Sequence, residues 1–230
     1  MAKRIGILGG TSPESTAEYY LHITREYARR FGNFAYPEIL IHSLSFQEII
    51  DWQQKGHFDQ IAKKMSKGLN TLHLAGADFG LIAAVTLHKY FNEISARVDM
   101  PLISIVEATK EIIVNNGHRR VGLLGTKTTM TEGFFIQSLV SEGIQILLPT
   151  ENAIDSINFI LYNEAAQGII TNESREVFKD TINSLDKRGV EAVILGCTEI
   201  PLFVNQADYQ IPLYNATQIH ADKALECALS

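Results

Sequence analysis

Residues 80–89 read GLIAAVTLHK, and residues 191–200 read EAVILGCTEI. In both stretches an apolar run ends on a small residue and gives way to a polar turn. Unbroken apolar runs of this length mark strands covered on both faces, as in a parallel sheet. The two stretches are copies of one strand–turn unit, because their surroundings match in the same order. KRIGILGGT from Lys3 resembles RRVGLLGTK from Arg119, setting Gly6 against Gly122. GADFGLIAAV from Gly76 resembles GVEAVILGCT from Gly189, and MPLIS with Pro101 resembles IPLYN with Pro212. The period is far too long for a solenoid repeat, so it marks a duplicated α/β unit.

The pattern between these marks alternates strand and helix. Strands are predicted at 4–9, 38–43, 79–85, 102–105, 120–125, 144–148, 192–196 and 213–214, and helices at 14–30, 58–74, 87–98, 108–115, 131–142, 174–187 and 217–229. Such alternation predicts an α/β fold of two pseudo-symmetric, Rossmann- or flavodoxin-like domains, each with a four-stranded parallel sheet. The expected division is 1–100 plus 211–230, with a returning C-terminal helix, and 101–210 as the second domain. Ligands of open parallel sheets bind beyond the carboxyl ends of the strands, so a cleft is expected between the two domains. The repeat places Cys197 and Ala84 at equivalent strand ends, one offering a thiol and the other a methyl group.

Composition narrows the class of function. The 230 residues are 46% hydrophobic and 20% charged, with a net charge of −6. No basic run is longer than pairs such as Lys63-Lys64 and Arg119-Arg120, which argues against nucleic-acid binding. No apolar run approaches the ~18 residues of a membrane span, and the first residues do not read as a signal peptide. Cys197 and Cys227 are the only cysteines and have no framework spacing, so free thiols and a cytoplasmic location are expected.

A strand-end cysteine followed by Thr198-Glu199 and the expected start of a helix suits reactivity, because backbone N–H groups there would lower the thiol pKa below about 8.5. Cys227, in an apolar terminal helix, reads as packing. GGTSPEST at 9–16 admits two readings: an anion-receiving turn, or a plain βα turn with Ser12 as cap and Pro13 opening the helix. GTKTTMTEG from Gly125 repeats its richness in hydroxyls. The seven histidines show no metal-ligand spacing, so no metal site is expected, and His88 reads as bonding its own backbone. There is no G-x-S-x-G elbow.

Several motifs together resemble the aspartate/glutamate racemase family, in particular its branch of broad-range and L-aspartate/glutamate-specific amino-acid racemases. They are GILGGTSPEST (6–16), HSLSFQEI (42–49), TLHK (86–89), LLGTKTTM (123–130), ITNESRE (170–176), GCTEIP (196–201) and IPLYNATQIHA (211–221). The resemblance implies cofactor-independent racemisation between two acid/base residues, acting on a small carboxylated amino acid in a homodimer. Cys197 matches the family's second acid/base cysteine. The first belongs to a Cys/Thr-Asn-Thr-x-His motif, which here reads Ala84-Val85-Thr86-Leu87-His88. The acid/base group is therefore replaced by Ala84, and the carboxylate-holding asparagine by Val85. A basic residue common in relatives ahead of Gly168 is replaced by Ala166-Gln167. By motif, the remaining substrate contacts are Thr11, Gln53, Val85, Thr86, Thr126 and Thr198.

A racemase-family isomerase of weak or altered activity is the first expectation. The alternatives are a one-thiol enzyme of the decarboxylase type, in which Cys197 protonates a carbanion, and a carboxylate-binding protein without turnover. Ala84 separates them: a methyl group disfavours two-base chemistry and leaves one-thiol chemistry open.

Overall fold

A computed structural model describes residues 2–230. The chain divides into two compact units, 1–104 with 220–230, and 105–219. The first unit holds β1 (Ile5–Gly9), α1 (Pro13–Phe31), β2 (Ile39–Ser43), α2 (Phe46–Gln54), α3 (Phe58–Leu74), β3 (Phe79–Ile82), α4 (Phe91–Ser95) and β4 (Leu102–Ile103). The second holds α5 (Ile105–Asn115), β5 (Arg120–Gly125), α6 (Lys127–Thr131), α7 (Phe134–Val140), β6 (Gln145–Leu147), α8 (Glu151–Asn163), α9 (Asn172–Lys187), β7 (Ala192–Gly196) and β8 (Leu213–Asn215). Helix α10 (Ala216–Leu229) starts in the second unit, and its part from His220 onward packs into the first.

Each unit contains one four-stranded, all-parallel sheet, ordered β2-β1-β3-β4 and β6-β5-β7-β8. Strand registers reproduce the sequence repeat. Gly6 pairs with Gly80 in the first sheet, and Gly122 with Val193 in the second. Gly80 pairs with Leu102, and Val193 with Leu213. The alignment that sets Ala84 against Cys197 is thus carried by backbone pairing as well as by residue likeness.

The central strands are covered on both faces, which explains their unbroken apolar runs. In the first unit one core layer joins Leu8 and Ile82 to Ile61, Met65, Leu69 and Leu72, one apolar stripe of α3. The opposite layer joins Ile5, Ile7, Phe79 and Leu81 to Tyr19 and Ile23 of α1 and to Ala221, Ala224, Leu225 and Ala228 of α10. In the second unit Val121, Leu123, Val193 and Ile194 are fully buried, as are Phe135, Phe178, Ile182 and Leu185.

Boundaries differ from expectation where a turn takes over. The strand expected to run to Val85 ends at Ile82. Val85 is already in a helical backbone conformation, and a 3-10 turn, Thr86–Tyr90, precedes α4 in place of one helix over 87–98. The helix expected over 131–142 is two short helices, parted at Gly133, whose φ of 81° is left-handed. Two helices, α2 and α8, were not among those expected. No helix among the described residues is long and apolar enough to cross a membrane.

Candidate active site

In the first unit β1 ends in a tight turn. Gly10 has φ 94°, and a Cβ there would lie 2.2 Å from the Leu44 carbonyl oxygen, so only glycine fits. The Thr16 hydroxyl accepts the Gly10 N–H at 3.0 Å. Ser12 caps α1 by accepting the Ser15 N–H at 3.1 Å, and Pro13 opens the helix. Of the two readings of this turn, the capped βα turn is present as built structure. Thr11 reaches across to the neighbouring strand end, making a long 3.5 Å contact with the Ala83 carbonyl, which also accepts a 2.9 Å bond from Ser15.

Beyond β3 the chain passes Ala83, Ala84 and Val85. Ala84 and Thr86 are half-buried and Val85 is 5% exposed. The Ala84 carbonyl accepts a 2.7 Å hydrogen bond from His88 Nδ1, so neutral His88 carries its proton on Nδ1. His88 stacks on Phe91 and meets the edge of His220. His220 donates from Nε2 to the Ile103 carbonyl at 2.9 Å, which leaves Nδ1 to accept the Tyr19 hydroxyl at 2.8 Å. All three side chains are buried, and burial pushes His88 down to about 4 and His220 to about 3, with Tyr19 raised. This cluster is neutral scaffolding under the Ala84 turn.

In the second unit Thr126 caps α6, its hydroxyl accepting the Thr129 N–H at 3.2 Å. Gly125 and Gly196 pair in register at the strand ends. A Cβ on Gly196 would stand 2.9 Å from the Leu124 carbonyl oxygen, so the chain leaves β7 on a residue with no side chain. Cys197 follows, half-buried and free. Its thiol donates to Glu199 Oε2 at 2.9 Å, and the Thr198 hydroxyl donates to the same oxygen at 2.6 Å. Among the described residues, no Lys or Arg ion-pairs with Glu199.

One expectation is corrected here. No α-helix starts after Cys197; only a three-residue 3-10 turn, Ile200–Leu202, follows. Backbone N–H groups of Thr198 and Glu199 do favour the thiolate. Burial, reinforced by the Glu199 carboxylate, outweighs them and pushes the thiol well above its ordinary range. Cys197 therefore rests as a protonated thiol.

The candidates from sequence fall into two groups. Thr11, Ala84, Val85 and Thr86 gather at the β1 and β3 ends of the first unit. Thr126, Cys197 and Thr198 gather at the β5 and β7 ends of the second. Gln53 lies near the end of α2, half-buried, and makes no side-chain hydrogen bond among the described residues. Glu199 was missed. The sequence offered no distinguishing signal, since a carboxylate two residues beyond a strand-end cysteine reads as an ordinary polar turn. Among the described residues no cluster of His, Cys, Asp or Glu could hold a metal ion.

Two like α/β units, each ending its central strands in small residues and hydroxyls, with a strand-end cysteine in the second, define a thiol-bearing member of a duplicated fold. The Asp/Glu/hydantoin racemase family model matches residues 8–224, and the chain belongs to that family. A solved structure from Yersinia pestis classed with the Asp/Glu racemases is 36% identical, covers 99% of this chain and 100% of its own, and superposes with a TM-score of 0.93. An aspartate racemase homologue from Pyrococcus horikoshii OT3 is also 36% identical, with 100% of both chains covered and a TM-score of 0.87. The broad specificity amino-acid racemase RacX of Bacillus subtilis is 22% identical over 98% of each chain.

Proposed function

We propose that the protein is a cofactor-independent isomerase of the amino-acid racemase kind, acting on aspartate- or glutamate-like substrates through Cys197. The observation that carries this is the placement of Cys197 just past the end of β7, at the position that the repeat makes equivalent to Ala84 after β3 of the other sheet. A thiolate at Cys197 removes the α-proton, and the thiol so formed returns a proton to the carbanion. Thr11, Thr86, Thr126 and Thr198, with Gln53, are proposed to hold the substrate's polar groups, each from a strand-end turn or from α2. The family's first acid/base position is Ala84, and a methyl group carries no proton. Proton exchange on one face should therefore outrun inversion. The protein is further proposed to work as a cytoplasmic homodimer, which light scattering on the purified chain tests.

The experiment is α-proton exchange in D₂O with each enantiomer of aspartate and glutamate, followed by NMR and chiral chromatography. One enantiomer should gain deuterium faster than it inverts, and Cys197→Ser should suppress both processes. Inversion as fast as exchange would show a second proton carrier. No exchange with any amino acid would overturn the racemase reading in favour of one-thiol decarboxylation or binding without turnover.

A further inference from the structure

We propose that Thr217 is a positioning residue for Cys197, its hydroxyl giving the sulfur a hydrogen bond once the sulfur is a thiolate. This rests on the reading of Cys197 as the acid/base group and adds a residue from the neighbouring strand's connection, outside the thiol's own turn.

Both residues lie in the second unit, and strand register brings them to the same end of its sheet. β7 and β8 pair in parallel as far as Leu195 beside Asn215, and Cys197 and Thr217 each follow two residues later. Thr217 is 2% exposed, and its Oγ1 is buried without a hydrogen-bond partner among the described residues. Buried hydroxyls are rarely left unbonded, so an unmet donor here points to an acceptor that arises in another state of the site. The sulfur is such an acceptor. At rest the thiol donates its own hydrogen to Glu199, and a neutral sulfur accepts weakly; a thiolate accepts strongly.

The local backbone favours the same charge. Helix α10 begins at Ala216, which puts Thr217 in the first turn of a 14-residue helix. The Asn215 side chain accepts the Thr217 N–H at 3.1 Å and the Gln218 N–H at 3.3 Å, fixing this end of the helix. Its partial positive charge favours an anion nearby. The helix start expected after Cys197 is thus found on the connection that leaves β8. The duplicated unit supplies an internal comparison. Five residues past the matched prolines, Pro101 and Pro212, stand Val106 and Thr217. Val106 is buried, so the fold accepts valine, a side chain of the same shape, at this place. The copy with Ala84 has the methyl group there, and the copy with Cys197 has the hydroxyl.

Thr217 transfers no proton in this role. When Cys197 ionises, the Sγ–H bond breaks, the proton passes to a solvent base and the electron pair stays on sulfur. Thr217 keeps its O–H bond and turns it toward the sulfur. The thiolate then takes the substrate α-proton; the Cα–H bond breaks, S–H forms and the pair stays on Cα. Among the described residues the charged group acting on the thiol is Glu199, and together with burial it opposes ionisation. The Thr217 hydroxyl works against both.

Alkylation tests the pairing without any substrate. Labelling of Cys197 by iodoacetamide, located by peptide mapping, should slow about tenfold at pH 7.5 in Thr217→Val, the loss expected when one hydrogen bond to a charged group is removed. The pH midpoint of labelling should rise in the same variant, and Thr217→Ser should restore both. Because the hydroxyl is unbonded at rest, the Tm of Thr217→Val should hold within about 2 °C or rise. Slower labelling at undiminished stability is a split that a merely structural role would not give. Labelling of Thr217→Val as fast as the native protein overturns the pairing, and so does a larger fall in Tm, which would mean that the hydroxyl is already bonded in the resting fold. Proximity has its own test. Thr217→Cys should form a disulfide with Cys197 under mild oxidation, which needs Cα atoms within about 7 Å, and failure to form it overturns the pairing even if Thr217→Val does not fold. With each enantiomer of aspartate and glutamate in D₂O, α-proton exchange should fall with labelling in Thr217→Val. Absence of exchange in the native protein, with labelling and cross-linking as expected, would refute the racemase proposal and leave the Cys197–Thr217 pair standing.

Discussion

Ala84 and Val85 differ in what a substitution there can do, although they are adjacent. Ala84 is half-buried, so Ala84→Cys adds a thiol to a turn whose carbonyl is already held by His88. That variant should raise inversion relative to exchange in D₂O, measured on the enantiomer that Cys197 deprotonates. Val85 is 5% exposed, and Val85→Asn would put an amide where a partner must be found. An unmet buried polar group costs about 1–3 kcal/mol, so its Tm should fall by roughly 2–10 °C in calorimetry. A gain in inversion from Val85→Asn alone, without loss of Tm, would show that this side chain faces substrate instead of core. The strand-end positions of Cys197 and Ala84 were legible in the sequence because strand ends are marked by a change from apolar to polar residues. Glu199 was not, since a carboxylate in a polar turn looks like solvated surface until its distance to the thiol is known. The state of Cys197 was misread for a related reason. The helix start assumed after Thr198 is a single 3-10 turn, while burial and a neighbouring charge act through space.

Elements were legible where periodicity was strong and less so where short turns intervene. Helix α3 runs over the expected residues because Ile61, Met65, Leu69 and Leu72 form one stripe between clear turn signals. Helix α2 buries only Ile49, and α8 carries several Ile and Asn residues of modest helix propensity, so neither announces itself. What joins the elements under the Ala84 turn is the set Tyr19, His88 and His220, drawn from α1, the 3-10 turn after β3 and α10. That set makes an acid-sensitive joint. His88 is held down to about 4 in the folded protein, against about 6.5 for a free histidine. Between these values the unfolded chain binds a proton that the folded chain does not, so stability rises with pH. Its contribution, about 3 kcal/mol for His88, is fully present above pH 6.5 and is lost as pH falls toward 4. Urea unfolding should show a falling midpoint from pH 6.5 to 4.5, and His88→Gln should flatten that slope by about 1.4 kcal/mol per pH unit. An unchanged slope in His88→Gln would assign the acid sensitivity to His220 or to carboxylates.

At the scale of the whole molecule, duplication was visible in the sequence, because both sheets keep the same register at every matched mark. The path of the last helix depends on contacts distant in sequence. It begins beside β8 in the second unit, yet His220, Ala221, Ala224, Leu225 and Ala228 are buried in the core of the first. The Ala228 carbonyl also accepts the Lys3 N–H at 2.8 Å, fixing the chain just ahead of β1. A weak amphipathic pattern hides this, since alanines bury little area each and only close approach to β1 and β3 gives them value. Removing residues 220–230 should therefore act on one unit. Losing the Leu225 side chain alone is worth about 2–5 kcal/mol, comparable with the ~5–15 kcal/mol that holds an ordinary domain folded. The truncated chain should lose hydrogen-exchange protection at Ile5–Leu8 and Phe79–Ile82, while Val121–Leu124 and Ala192–Leu195 keep theirs, because residues 220–230 belong to the first unit's core and the second sheet lies in the other unit. Equal loss in both sheets would mean that the units do not stand on separate cores, and no loss in either would mean that α10 only lies against the first unit. Leu225→Ala gives a graded version: protection in β1 and β3 should fall with the measured ΔΔG, and that in β5 and β7 should not move.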